Sequence, residues 1–423
     1  MSQNSDIFKV DVAIAGGGLV GMTLGCALAK GGLKVAVVDF DTPSYQVEGD
    51  YDGRASAISY GSAQVFKGIG LWDYIEDHAS PIYDVRIADG HPMRGISPLF
   101  MHYDHRDLGE EYGEAALGYI IENRQTRVAL YKLAKEYETT DAGGELHQFY
   151  PVGVDTIERT SHKATLTLTD GRQIEAALAV AADGRKSKIR AEAGIKHNEW
   201  NYDQTAIVCT VEHERDHQGT AVELFLPNGP FAMLPMTDGR TNIVWSEKTK
   251  LAKEFMDLSE EDFMAELQLR FGDWLGDLKL AGPRFAYPLN LILADHYVED
   301  RLVLAGDAAH GIHPIAGQGY NLGIRDVAAL AEILVDAKRL GLDIGSHSIL
   351  TEYEKWRRFD NVMLAAVCDG LLRLFSNDHA SIRLARDLGL AALNKVMPAK
   401  KFFMRHAMGV IGDLPRLIRG EKL

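Results

Sequence analysis

The chain has 423 residues, 46% hydrophobic and 25% charged, a composition that excludes the disordered and fibrous classes. A net charge of −15 argues against nonspecific nucleic-acid binding, and three cysteines (Cys26, Cys209, Cys368) are too few for a disulfide framework or a zinc cage. No apolar run approaches the roughly 18 residues of a membrane-spanning helix, and Met1–Asp6 has no basic region before an apolar core, so a cytosolic chain is expected.

Val10 to Ala15 is a short apolar run, Gly16 to Gly21 is glycine-rich, Met22 to Lys30 has helical composition, and Lys34 to Val38 is apolar again. That order predicts a βαβ unit. Asp39 to Leu117 reads as mixed and loop-rich, with a strand at Tyr83–Ala88. Asn123–Tyr137 reads as a helix, and Ala164–Thr169 as a strand before an Asp170-Gly171 hairpin turn. Ala176–Ala182 is then a buried strand.

Short strands at Ile207–Val211, Ala221–Leu226, Phe231–Leu234 and Asn242–Trp245 predict a mainly antiparallel sheet. A helix follows at Glu260–Arg270. Arg301–Ala305 is another buried strand, leading into a second glycine-rich turn and a helix over Leu322–Lys338. The remainder is helical. The two glycine-rich turns lie some 290 residues apart, so one domain is expected to form from distant pieces, with the antiparallel sheet inserted between them.

Gly16, Gly18 and Gly21 fit G-x-G-x-x-G after a strand and at a helix start. Such a turn brings backbone amides, here those of Leu19 and Val20 as well, against a pyrophosphate. Asp39 stands 18 residues beyond Gly21, where a carboxylate can accept ribose hydroxyls, which suits FAD or NAD better than NADP. At the second turn, Gly306-Asp307 sits where an acid can bond the ribityl hydroxyls of a flavin. Gly317, Gln318, Gly319 and Asn321 then offer amides to the N1–C2 carbonyl edge of an isoalloxazine. A competing reading makes Asp307, His310 and His313 an iron site; Gly311 and Pro314 break the helix it needs, so no metal is expected. The run Arg185, Lys186, Lys188, Arg190 is either a solvated face or an attraction site for nicotinamide-cofactor phosphates.

Gly16 to Gly21, Asp183-Gly184 and Gly306-Asp307 resemble the three fingerprints of the group A flavoprotein aromatic monooxygenases, the class similar to p-hydroxybenzoate hydroxylase. His313 to Asp326 resembles the signature of the ubiquinone-biosynthesis hydroxylases within it. The likeness includes Asp52 to Ile58, Gly229 to Pro235, Gly370 to Ser376 and Ala407 to Gly409, nearly the whole chain.

The resemblance implies an α/β fold: a Rossmann-like FAD-binding domain, an inserted mainly antiparallel β-sheet substrate domain and a helical C-terminal region. The expected division is 1–80, 105–190 and 285–345 for FAD; 81–104 and 191–284 for substrate; 346–423 for the helical region. It implies that Arg54 contacts the FAD pyrophosphate, that Asn123 or Arg127 lies along the dinucleotide, and that Val154 sits by the adenine. Asp183 would serve both FAD and a transient NAD(P)H, Asp307 the ribityl chain, and Pro314 would present its carbonyl near the substrate ring. His313 and Tyr320 flank the flavin loop and are the candidates for a phenol base.

The implied activity is hydroxylation of a polyprenylated phenol with NAD(P)H and O2 in ubiquinone biosynthesis. The alternatives are a flavin reductase, a hydroxylase of small soluble aromatics, or a redox-silent FAD-binding assembly partner. From Gly370 to Leu423 ten Lys/Arg stand against four Asp/Glu, a local +6 on an acidic body. Arg383, Arg386, Lys400, Lys401, Arg405, Arg416 and Arg419 interleave with apolar residues (Ile382, Leu384, Leu388, Leu393, Phe402, Phe403, Met404, Leu417, Ile418). Docking at an anionic inner membrane face or on other biosynthetic proteins is therefore expected, against a plain reading of helices packed on the flavin domain.

Overall fold

A computed structural model describes residues 7–43, 53–141, 143–375 and 380–423. The expected features at Met1–Asp6, Asp52 and Ser376 lie outside them, as do the side chains of Ile382 and Leu384.

The βαβ unit forms as β1 (Phe8–Ala15), α1 (Leu19–Lys30) and β2 (Lys34–Val38). β1 pairs in parallel with β2, its four C-terminal residues are buried, and α1 buries nine consecutive residues from Gly21 to Ala29. A helix buried all round needs small residues to lie close to its sheet, and Gly25 meets Val37 and Leu146 across that contact.

The stretch expected to be loop-rich holds β3 (Ala55–Ser59) and α2 (Tyr60–Ile69). Ser59 caps α2 by accepting from Ser62 N–H, and Gly70 ends it at φ +84°. There follow β4 (Asp84–His91), β5 (Gly95–Asp104), β6 (Gly118–Glu122), α3 (Asn123–Glu136), β7 (Glu145–Phe149) and β8 (Gln173–Ala181). Next come β9 (His197–His213), β10 (Thr220–Leu226), β11 (Gly229–Met236), β12 (Arg240–Lys248), β13 (Phe285–Ala294) and β14 (Leu302–Leu304). The chain closes with α4 (Gln318–Arg339), α5 (His347–Phe375), α6 (Ala380–Lys395) and α7 (Met397–Ala407).

The first sheet runs β14, β8, β1, β2, β7 in parallel, so β14 returns to the sheet from about 290 residues beyond β1. The second sheet runs β13, β9, β12, β11, β10, β4, β5 and is antiparallel except where β10 pairs with β4. β13 was expected on the flavin side of the 284/285 division; it pairs with β9 from His197↔Ala294 to Val208↔Phe285, within the second sheet. β3 and β6 form a separate small sheet with Ser80–Ile82. All three cysteines are buried: Cys26 in α1, Cys209 in β9 and Cys368 in α5.

Candidate functional site

The two glycine-rich turns meet. Val20, at the start of α1, fills the space that side chains at Gly306 and Gly323 would take, with its methyls 3.1 and 2.6 Å from where each Cβ would stand. Gly16 has φ +105°, and a Cβ there would lie 2.3 Å from the Ala182 carbonyl, beside Asp183. A Cβ on Gly18, the residue before α1, would meet nothing within 4 Å, and no side chain caps that helix start. A close-packed turn with open space at its tip and uncapped amides fits a bound pyrophosphate.

Asp39 follows β2 and accepts from Gly17 N–H at 2.5 Å and from Asp41 N–H at 2.8 Å. Burial raises its carboxyl above the usual range, against the pull of those amides and of the Arg127 charge. Asn123 opens α3, its amide donating to Arg54 O and its Oδ1 accepting from Ser56 Oγ at 2.6 Å. The Arg54 guanidinium is exposed and stands 5.6 Å over the Tyr287 ring. Val154 is half-buried at a strand start. Asp183 accepts from Ile189 N–H, and its other oxygen is buried without a hydrogen-bond partner among the described residues.

At the second turn Arg185 Nε donates to Asp307 Oδ2 at 2.9 Å, while its other nitrogens donate to Asn290 and to the Ile312 carbonyl. Arg190 is buried and donates to the carbonyls of Ala308 and Arg185. Lys188 pairs with Asp155 and Glu192. The run 185–190 is therefore divided: Arg185 and Arg190 brace the Asp307 turn, while Lys186 and Lys188 are solvent-exposed. His310 belongs to no cluster with Asp307. Its Nε2 donates to Asp326 Oδ2 at 2.5 Å, and the same oxygen accepts from Gly306 N–H. Arg357 Nε donates to the other oxygen of Asp326. Burial alone would raise the Asp326 carboxyl, but His310 and Arg357 hold it at about 2.

The loop from His313 to Asn321 is stapled to β3. Asn321 Nδ2 donates to the carbonyls of Ala57 and Gly317, and its Oδ1 accepts from Ser59 N–H. Gly317, at φ +62°, brings its backbone where a Cβ would stand 2.8 Å from Ala57 Cβ. The Pro314 carbonyl accepts from Gly317 N–H at 2.9 Å, which closes the short turn before α4.

A cavity of about 920 Å³ lies beside this loop. Pro314, Gly317, Gln318 and Asn321 line it together with Ala57, with Ile87 and Met101 of the second sheet, and with Val367, Leu371, Leu390 and Phe403 of the C-terminal helices. Its wall is overwhelmingly apolar. Neither base candidate is part of that wall. Tyr320 turns toward α1, its hydroxyl 3.3 Å from Thr23 Oγ1 and its ring against Phe66. His313 accepts from Ile315 N–H and packs edge-on against Tyr202. Burial and the nearby Arg185 push its imidazole down to about 3, so it is neutral and a weak base.

Part of the basic tail is tied into the fold, while Arg373, Lys395, Arg419 and Lys422 are exposed. Arg386 pairs with Asp89, Lys400 with Asp107, Arg405 with Glu111, and Arg416 with Glu332 and Asp336. Met404, Leu417 and Ile418 are core residues. Also outward are apolar side chains: Phe402 (53% exposed), Phe403 (42%), Leu388, Val396 and Met397, and on α5 Phe359, Met363, Val367, Leu371 and Leu374. Among the described residues no helix is long and apolar enough to cross a membrane.

Residues 9–359 match the FAD binding domain family. The chain is 48% identical to the ubiquinone hydroxylase UbiL of Rhodospirillum rubrum, over 98% of this chain and 93% of that protein. It is 32% identical to the 3-demethoxyubiquinol 3-hydroxylase of Escherichia coli, over 95% of this chain and 98% of that one. Among solved structures, p-nitrophenol 4-monooxygenase from Pseudomonas putida superposes with a TM-score of 0.76 at 19% identity, covering 95% and 99% of the two chains, a likeness of fold.

Proposed function

Because this chain belongs to the FAD binding domain family, and within it to the ubiquinone hydroxylases, we infer that it hydroxylates the aromatic ring of a polyprenylated phenol in ubiquinone biosynthesis. It is an FAD-dependent monooxygenase that uses NAD(P)H and O2. When bound, FAD supplies the redox chemistry, from reduction by NAD(P)H to delivery of one oxygen atom to the ring.

In this reading the chain's own residues bind, orient and exclude water. The Gly16–Gly21 turn and the first amides of α1 hold the pyrophosphate, with Arg54, Asn123 and Arg127 alongside and Asp39 on the adenosine ribose. Asp307 accepts from the ribityl hydroxyls, held by Arg185 on one side and by the Asp326–Gly306 bond below. The amides at the start of α4, after Gly317, whose own N–H is taken by the Pro314 carbonyl, would hold the carbonyl edge of the isoalloxazine. Residues 285–294 are assigned to the substrate domain with the rest of the second sheet.

The observation that carries the choice of substrate is the cavity. The cavity of about 920 Å³ is near the top of the range for small-molecule sites; the flavin ring would take the end at Gly317–Asn321, and the apolar remainder runs on to α5 and α7, farther than one soluble phenol reaches. Its lining joins the Pro314–Asn321 loop to Val367, Leu371, Leu374 and Phe403, which are also exposed on the outer face. A ring held at the loop with its prenyl tail leaving between α5 and α7 uses both features. We place that outward apolar face on a membrane surface, held by apolar side chains more than by the paired basic ones.

The test is direct. Purified protein reconstituted with FAD and given NADPH, O2 and a prenylated phenol should yield product one oxygen atom heavier. NADPH oxidation that releases only peroxide with every prenylated phenol would remove this reading.

A further inference from the structure

Among the described residues the cavity wall holds one carboxylate. β10 alternates, sending Val222, Leu224 and Leu226 into the core of the second sheet and Ala221, Glu223 and Phe225 to the cavity side. Strand pairing sets Ala232 of β11 and Ile87 of β4 opposite Glu223, and both line the same cavity. Glu223 is half-buried, and what exposure it has is toward this space. Among the described residues its carboxylate has no hydrogen-bond or ion-pair partner.

Among the described residues, the other titratable groups around the cavity leave it uncompensated. Arg386 of α6 is committed to Asp89, to the carbonyls of Leu374 and Phe375, and to the Phe375 ring. Burial keeps Tyr103 of β5 a neutral phenol and pushes the Cys368 thiol of α5 up to about 12. From β3, β11, β12 and α7 the lining groups carry no charge. A strand position facing an apolar wall ordinarily takes Val or Leu; an unpaired acid there is costly unless a ligand engages it.

We propose that Glu223 is the base that receives the hydroxyl proton of the phenolic substrate. The assignment rests on the hydroxylase reading above. The substrate O–H bond breaks with its electron pair left on oxygen, and an O–H bond forms on a Glu223 carboxylate oxygen. After oxygen transfer the proton returns to the phenolate oxygen of the product, so the step consumes no further reactant. The phenolate is richer in electrons ortho and para to oxygen, the positions an electrophilic oxygen transfer attacks. Desolvation raises the Glu223 carboxyl to about 8, nearer the ordinary phenol value of about 10 than a solvated carboxyl at about 4.3.

Glu223→Gln keeps the shape and removes the base. With a geranylated phenol, the FAD-loaded variant should bind FAD and phenol within about threefold of wild type while kcat falls roughly a hundredfold. The wild-type rise of kcat with pH through about 8 should vanish, and Glu223→Asp should restore part of it. Ultraviolet difference spectra should show bound phenolate in wild type above that pH and neutral phenol in the variant. A Gln variant with wild-type kcat and the same pH rise, or a neutral phenol bound to wild type throughout, overturns the assignment. Wild-type protein that hydroxylates no prenylated phenol overturns the hydroxylase reading itself, a separate and earlier failure. Because the spectra and pH profile of wild type stand alone, a variant that misfolds does not protect the proposal.

Discussion

Arg185 and Asp307 stand 122 residues apart in the chain and meet at 2.9 Å, Nε to Oδ2, which ties the loop after β8 to the turn after β14. The acid expected to hold a flavin's ribityl chain is thus itself held. Asp307→Ala should weaken FAD binding by about 1.5–3 kcal/mol through loss of a charged acceptor. Arg185→Met should cost less, roughly 1 kcal/mol, because the pair is partly exposed and screened. Fluorescence titration of apoprotein with FAD measures both, and an Arg185→Met affinity equal to wild type would unlink the arginine from the site.

The first turn separates fold from ligand. Gly16→Ala should prevent stable folding, since φ +105° and a contact of 2.3 Å to the Ala182 carbonyl leave no room. Gly18→Ala should fold with an unchanged melting temperature, because its Cβ enters empty space. That space is the one assigned to pyrophosphate, so FAD affinity should fall at least tenfold, about 1.4 kcal/mol. Thermal melts of apoprotein beside FAD titrations distinguish the two glycines.

Asp326 is fully buried and accepts from Gly306, His310 and Arg357. Asp326→Asn should destabilise the protein by about 3–5 kcal/mol, because His310 and the buried Arg357 lose a charged acceptor and only Asp360 is left to pair with Arg357. Its carboxyl is held at about 2, below the ordinary carboxylate value near 3.9. The stability it contributes is therefore complete above about pH 4 and is lost as pH falls toward 2. Urea melts between those limits should show a steeper acid loss in wild type than in the variant.

Docking on lipid should follow the apolar face. Phe402→Ser with Phe403→Ser should lower partitioning onto anionic vesicles at least tenfold, each aromatic ring contributing up to roughly 1.5–3 kcal/mol when buried. High salt should leave wild-type binding largely in place. Charge reversal at Lys400 or Arg405 should instead lower the melting temperature, because it breaks pairs with Asp107 and Glu111. Flotation of the serine variant at wild-type levels would exclude this face.

The glycine turns, Asp39 and Asp307 were legible because their geometry depends on near neighbours: a strand, a tight turn, a helix start. α2 was not read, because it lies within a stretch of mixed composition, although Ser59 and Gly70 cap it. Glu223 was hidden because β10 gains its cavity face only from pairing with β4, over 130 residues away. The ion pairs of the tail were hidden for a related reason. A local +6 counts charges, and the partners that neutralise Arg386, Lys400 and Arg405 come from residues 89 to 111. Charge counts read along the chain see only the neighbours in sequence, while ion pairs are set by the fold. His313 and Tyr320 were placed near the flavin loop correctly in sequence, yet side-chain direction from a loop is fixed by packing, and both point elsewhere.

The three buried cysteines give the molecule a set of internal clocks. Burial pushes Cys209 and Cys368 up to about 12 and Cys26 higher still, so none is a thiolate at neutral pH and none meets solvent. One lies behind the pyrophosphate turn, one in the second sheet and one in the helix beside the cavity. A thiol reagent can reach each only when its own layer opens, so the labelling rate at each position, read by mass spectrometry, times the opening of that layer separately. Added FAD should slow Cys26 first, a prenylated phenol should slow Cys368, and neither needs an engineered probe.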